Sequence, residues 1–290
     1  MKRKTKWIFF LVVACLVIVW GVGALKSIMT PAVGLLEVNG AITESLPYLD
    51  AIKQFEDDRS IKTVVVRLDS PGGNVGPSQE IYSALLRLKK TKPVVASMGA
   101  VGASGAYYIA CAADSVYALP GTMTGSIGVI MEFFDASDGM KRLGIRPQNI
   151  SAGTLKDAGS PFKPMTPNER IYFKALVDDV HEQFIEAVAK NRKIKSEVVR
   201  TLADGRVFTG RQALSSRLID KLGGLDDAVE AAKKKAGITG DARIIRPDVS
   251  EDIWASIRKL LNVRTPIPLR ADPSQGLGLI QSVRLEYSMQ

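Results

Sequence analysis

Between Ile61 and Leu68 the chain sets Val64, Val65 and Val66 side by side. A strand with one wet face alternates apolar and polar side chains, so three successive valines predict a strand buried on both faces. Such a strand needs helices above and below it, which is the arrangement of a mostly parallel sheet. The flanking segments agree. Val33 to Val38 reads as a strand, Leu46 to Phe55 as a helix, Pro77 to Leu88 as a helix and Pro93 to Met98 as a strand. Ser104 to Ala112 then reads as a short helix and Ser115 to Leu119 as a further strand. This βαβαβα rhythm places the chain in the α/β class. With 290 residues, 46% of them apolar, it is long enough to bury a sizeable core, which excludes disorder as the main state.

The N-terminal segment has a different character. Trp7 to Leu25 runs without a charge for about the ~20 residues a helix needs to cross a bilayer. Lys2, Arg3, Lys4 and Lys6 precede it, so the positive-inside rule puts residues 1–6 in the cytoplasm and everything after Lys26 on the outer side of the cytoplasmic membrane. Two other readings stay open: a cleaved signal peptide ending at Val22-Gly23-Ala24, and a lipoprotein-like site at Val12-Val13-Ala14-Cys15. The apolar run is longer than the ~7–15 residues of a secretory core and continues well past Cys15, which favours a retained single-pass anchor over 7–25.

Those four cations also explain much of the formal charge of +9, leaving +5 for the rest. The basic clusters Arg87 to Lys92 and Lys233 to Lys235 fall at predicted helix ends and carry no interleaved aromatics, which argues against a nucleic-acid partner. Cys15 and Cys111 lie in segments that cannot plausibly meet, so no disulfide is expected, and Cys111 reads as a small core residue.

Further along, Gly121 to Gly128 is a glycine-rich loop followed by the apolar run Val129 to Met131. Thr166, Pro167 and Glu169 make a strong helix start, and the helix they open is expected to run to about Lys190. Its stripe Phe173, Val177, Val180, Phe184 and Val188 is expected to face the core. Gly205 to Gly224 forms another small unit, and Thr265 to Gly276, with three prolines, reads as a flexible tail. The expected organisation is a domain over 33–240 followed by a partly flexible extension over 241–290.

Ser104 leads the candidates for chemistry. It sits among small residues, Gly102-Ala103-Ser104-Gly105-Ala106, where a polar loop turns into an apolar helix. Small neighbours admit a substrate, and a helix start turns N–H groups toward a forming oxyanion. The pentapeptide is close to the nucleophile elbow G-x-S-x-G but ends in Ala. Ser126, Ser97 and Ser70 also lie beside loops of small residues and remain rivals. The one histidine, His181, falls within the long helix and reads as a structural residue, so the base for a serine nucleophile is expected to be a lysine. Asp69-Ser70-Pro71-Gly72-Gly73 follows the buried strand and suits a backbone donor to an oxyanion, although a plain turn also explains it. No metal and no organic cofactor is expected.

Several motifs in order carry a resemblance. Asp69 to Gly73, Met98-Gly99, Ala103 to Ala110, Thr124 to Val129, Lys156-Asp157-Ala158-Gly159-Ser160-Pro161 and Gly205 to Gly224 together resemble the signal peptide peptidase A family over roughly residues 34–240. That family comprises membrane-anchored serine proteases of Clp-protease/crotonase-like fold that use a Ser-Lys dyad to degrade signal peptide remnants. The resemblance implies Ser104 as nucleophile, Lys156 as general base and Ser126 as the group that orients the lysine amine. It implies an oxyanion hole from the backbone N–H groups of Gly73 and Gly105, and peptide substrates handled by a homo-oligomeric ring whose sites are completed between subunits. Ala106, Asn74 and Arg217 depart from the family's customary residues, and Asn74 bears on the shape of the cleft. A lysine with an ordinary pKa near ~10.4 accepts a proton at neutral pH only if desolvation brings that value down toward ~7. Asp157 is therefore expected to point away from the amine. Three other functions stay in view: a regulatory Clp-class protease cutting one membrane protein, an inactive peptide-binding scaffold, and a crotonase-like acyl-CoA enzyme, which an extracytoplasmic location disfavours.

Overall fold

The computed structural model describes residues 30–247 and the backbone of 285–287. The expected anchor at 7–25, the tail at 1–6, Cys15 and most of the extension lie outside the described residues. Among the described residues no helix is long and apolar enough to cross a membrane.

In chain order the elements are β1 (Ala32–Asn39), α1 (Leu46–Asp57), β2 (Ile61–Ser70), β3 (Gly73–Asn74), α2 (Val75–Leu88), β4 (Val94–Ala103), α3 (Gly105–Ala110), β5 (Ser115–Ala118), β6 (Met123–Gly125) and β7 (Ile130–Met131). There follow α4 (Ser137–Arg142), α5 (Pro167–Arg192), α6 (Ser196–Leu202), β8 (Val207–Thr209), α7 (Gly210–Ser215), β9 (Lys221–Leu222), α8 (Leu225–Lys235), β10 (Arg243–Ile245) and β11 (Leu285–Tyr287). The large sheet runs β10-β1-β2-β4-β5-β9, with β6 beside β4 and β8 beside β6. Every pairing in it is parallel except β6 with β8. The mixed α/β architecture with a mostly parallel sheet is therefore the one that the valine run predicts.

Both faces of β2 are covered, as its apolar sequence requires. Val64 and Val66 join Leu36, Val38 and Ala96 beneath α1 and α2, where Phe55, Ile81 and Leu85 are buried. Val65 points the other way and packs with Val33, Leu35 and Val95 against Ala228 and Ala232 of α8. Alternation of side chains along a strand sends neighbours to opposite faces, so one three-residue run feeds two core layers.

β4 is what creates the site. Its first half, Val95 to Met98, pairs with β5, and its second half, Val101 to Ala103, pairs with β6. Thr122 and Thr124 fix this switch of partner by donating their hydroxyls to the carbonyls of Gly99 and Gly102 at 2.7 Å each. The glycine-rich segment after Pro120 thus contributes a short strand where the sequence reads only as loop. Three residues with no apolar alternation are too few for a strand signal.

The long helix begins as expected: the Thr166 side chain accepts from the Glu169 amide and the Glu169 carboxylate accepts from the Thr166 amide. Its stripe departs from expectation. Phe184 and Val188 are buried, whereas Phe173, Val177 and Val180 are only half-buried. The first half of α5 packs against β7 and the Phe133 ring, whose centroid lies 4.4 Å from that of Phe173. Cys111 is buried in the core as predicted, and desolvation pushes its thiol up to about 12.

Candidate active site

Ser104 ends β4 and opens α3 at φ 54°, ψ −120°, a conformation that costs a residue with a side chain roughly 1–3 kcal/mol. The surroundings impose it. Its amide donates to the Gly125 carbonyl at 2.8 Å and its carbonyl accepts from the Tyr108 amide at 2.9 Å. Just beyond, the Tyr107 hydroxyl donates to the Leu218 carbonyl at 2.8 Å and ties α3 to the unit that follows α7. The Ser104 side chain is fully buried, and its Oγ has no hydrogen-bond partner among the described residues.

The rival serines are distinguished by what they bond. Ser97 Oγ accepts from Arg67 Nη1 at 2.9 Å, and Ser70 Oγ accepts from the Gly72 amide at 3.1 Å, so both stabilise their own strands. Ser126 behaves differently. It too has positive φ, 50°, is nearly fully buried, and donates its amide to the Arg206 carbonyl at 2.9 Å. Because Ala103 pairs with Gly125, Ser104 and Ser126 each stand one residue beyond the same pair of strand positions.

Gly73 lies where two chain segments nearly touch. Ile42 donates to the Gly72 carbonyl at 2.9 Å and accepts from the Asn74 amide at 2.7 Å. Successive amides of an extended chain point to opposite sides, so the Gly73 N–H faces away from Ile42. A Cβ at Gly73 would come 2.3 Å from the Ile42 carbonyl oxygen, which only glycine avoids. Gly105 opens α3, and α3 packs against β3, so the two expected oxyanion donors stand on neighbouring elements. The Asn74 side chain turns out of this region and donates to the Thr43 carbonyl at 3.0 Å.

Among the described residues no hydrogen bond joins Lys156 to Ser104. Lys156 is exposed in the turn-rich segment before α5, where its amide donates to the Gly153 carbonyl at 3.1 Å. The segment is nonetheless anchored. Lys163 Nζ reaches the buried Glu169 carboxylate at 2.6 Å and Asp157 at 3.2 Å. Lys163, then the Thr166 amide, hold the Glu169 carboxyl below the ordinary carboxylate range. Asp157 is thus engaged by Lys163. Sequence reasoning found the cap at Thr166 but missed this clamp, since a lysine six residues from each of two acids has no local signature. Around the segment, Phe134, Leu143, Ile150 and Ile171 are all strongly exposed. His181 is half-buried on α5, and its Nε2 has no hydrogen-bond partner among the described residues.

Residues 87–239 match the model of peptidase family S49, and residues 37–125 match that of Clp protease. The chain belongs to peptidase family S49. It is 38% identical over 251 residues to a Synechocystis protein described as "Putative protease slr0021", covering 86% of this chain and 88% of that one. It is 34% identical over 199 residues to "Putative signal peptide peptidase SppA" of Enterococcus faecium, across 68% of this chain and 58% of the relative. It is also 33% identical over 218 residues to "Serine protease SPPA, chloroplastic" of Arabidopsis thaliana, across 75% of this chain but only 32% of that protein. The S49 match includes Ser104, Ser126 and Lys156, and the Clp match includes Gly73 and both ends of the β4–β6 pairing.

Proposed function

We propose that this S49 peptidase is a serine endopeptidase in which Ser104 is the nucleophile and Lys156, supplied by a neighbouring copy, is the general base. The observation that carries the reading is Ser104 itself: a strained, fully buried hydroxyl without a partner among the described residues, at the start of a helix that packs against β3. The exposure of Lys156 supports an oligomer. A lysine that serves as a general base has to be desolvated, and a subunit that covers Lys156 would supply that desolvation. The exposed apolar residues around it and the half-buried start of the α5 stripe are surface of the kind that subunit contacts cover.

In the proposed reaction Lys156 takes the Ser104 proton as Oγ attacks a peptide carbonyl. The oxyanion is received by the Gly73 and Gly105 N–H groups, and the lysine returns the proton to the leaving amine. Water, deprotonated by the same amine, then hydrolyses the acyl-enzyme. Ser126 orients the amine. The substrates are apolar peptides such as signal peptide remnants, met at the outer side of the cytoplasmic membrane by a protein anchored through residues 7–25. A tether there raises the local concentration of enzyme near such peptides.

The test is labelling of the full chain with a fluorophosphonate across pH 6 to 10. Labelling that Ser104→Ala abolishes and Lys156→Ala suppresses is expected. Labelling that survives Ser104→Ala overturns the assignment, and an assembled oligomer that does not label favours a peptide-binding scaffold.

A further inference from the structure

β2 and β4 pair in register from Val64 with Val94 to Leu68 with Met98, and they meet again where Ser70 pairs with Gly102. Between those two pairs β2 has only Asp69, while β4 has Gly99, Ala100 and Val101. β4 therefore carries a bulge, and it lies where the strand leaves β5 for β6. A bulge takes backbone groups out of the ladder, and buried backbone groups then need other partners. The β6 side supplies the hydroxyls of Thr122 and Thr124, which donate to the carbonyls of Gly99 and Gly102. The β2 side supplies two more contacts. Arg67 Nη1 donates to the Met98 carbonyl at 3.1 Å, and Asp69 Oδ1 accepts from the Val101 amide at 3.1 Å.

Gly99 makes room for this arrangement. A Cβ there would come 2.7 Å from Asp69 Oδ2 and 3.1 Å from Arg67 Nη2, so the carboxylate and the guanidinium fill the space that a side chain would take. Val65, Arg67 and Asp69 share one face of β2 because side chains alternate along a strand. Val65 packs against α8 on that face, whereas at the end of the strand the two charged side chains hold the bulge instead.

The bond between Asp69 and Val101 stands at the fork from which both halves of the proposed site depart. Beyond Asp69 the chain turns through Ser70 to Gly73, and beyond Val101 it runs to Ser104. The bulge fixes how far along the strand Ser104 stands, and a slip of one residue would turn each side chain to the opposite face.

We infer that Asp69 is a positioning residue for Ser104: by holding the Val101 amide it sets the β4 bulge, and with it the place of the serine relative to the Gly73 backbone. It needs no contact with substrate to do so. The consequence for catalysis rests on the peptidase reading, whereas the contact does not. What the role requires is an acceptor oxygen, which a side-chain amide supplies and a methyl group does not.

The experiment compares the full chain with Asp69→Ala and Asp69→Asn. Asp69 is exposed, so neither substitution opens a cavity in the core. The contact is read by amide hydrogen exchange at Val101 and at Ser104, whose amide donates to Gly125. Exchange at both is expected to quicken roughly ten- to a hundredfold in Asp69→Ala, which loses a hydrogen bond to a charged acceptor. Asp69→Asn keeps a neutral acceptor and is expected to recover about half of that change on a logarithmic scale. With an apolar fluorogenic peptide, Asp69→Ala is expected to lower kcat about tenfold while KM stays within about twofold, and Asp69→Asn to recover part of the loss. A loss of stability alone would not move kcat at a temperature where every variant stays folded.

Unchanged exchange at Val101 in Asp69→Ala overturns the contact. Exchange that quickens at Val101 but not at Ser104, or an unchanged kcat, overturns the positioning role. An Asp69→Asn variant no better than Asp69→Ala assigns the effect to charge and overturns the acceptor argument. If the wild-type chain shows no Ser104-dependent turnover, the two amides still decide the inference and only the peptidase reading falls.

Discussion

The Ser104 amide donates to the Gly125 carbonyl at 2.8 Å, and that bond fixes the geometry of the proposed nucleophile. It holds the end of β4 against β6 where the backbone turns to positive φ on both strands, at Ser104 on one and at Gly125 and Ser126 on the other. The orientation of one serine thus depends on a glycine twenty-one positions later in the chain.

Gly125→Ala tests that dependence. The residue has φ +78°, and a Cβ there would lie 2.5 Å from the Phe208 ring, so strain and a steric clash act together. We expect a stability loss of about 1–3 kcal/mol and a fall in kcat larger than any change in KM. Thermal denaturation and steady-state kinetics check it; a variant that keeps wild-type kcat would detach Ser104 from β6.

Tyr107→Phe removes a single hydroxyl from a fully buried site and leaves the Leu218 carbonyl without its donor. A buried acceptor stripped of its partner costs about 1–3 kcal/mol. Urea unfolding of the two proteins should show the difference at an unchanged m-value.

If Lys156 serves a neighbouring copy, two inactive variants should rescue each other. Mixing Ser104→Ala with Lys156→Ala after dissociation and reassembly is expected to restore up to about a quarter of the wild-type rate, the share of interfaces that pair two intact partners in a random 1:1 mixture. Continued inactivity in a mixed oligomer confirmed by mass would place both groups in the same subunit.

The Lys163–Glu169 pair predicts a pH dependence. The folded Glu169 carboxyl titrates below its ordinary value, first because of Lys163 and then the Thr166 amide. Its contribution to stability is therefore present above the unfolded value near ~4.3 and lost as pH falls through the lowered folded one. Glu169→Gln should be less stable than wild type at pH 7, with the gap closing progressively below about pH 4. A gap independent of pH would assign the effect to packing.

Much of the β-sheet is legible in the sequence because its signals are local. The valine run, the strand-to-glycine turn at Asp69 to Gly73 and the Thr166 cap each depend on a few neighbouring residues, and the structure places β2, its turn and α5 accordingly. The small residues around Ser104 likewise mark a chain turning sharply into a helix, and the φ of 54° is that turn. Less legible are β6, β7 and β9, strands of two or three residues with no period to detect. The outer half of the α5 stripe misleads for a related reason: helical spacing shows that a face is apolar, but not what covers it.

By itself the chain determined the α/β class, the buried strand and the presentation of Ser104, since backbone period, turn chemistry and small side chains act over a few residues. Only the tertiary structure decided that β4 changes partner halfway and brings Ser126 beside Ser104. It alone left Lys156 exposed and laid Tyr287 opposite Gly73. Those relationships join residues far apart in sequence, and what selects them is the burial of backbone hydrogen bonds and side chains in one assembled sheet.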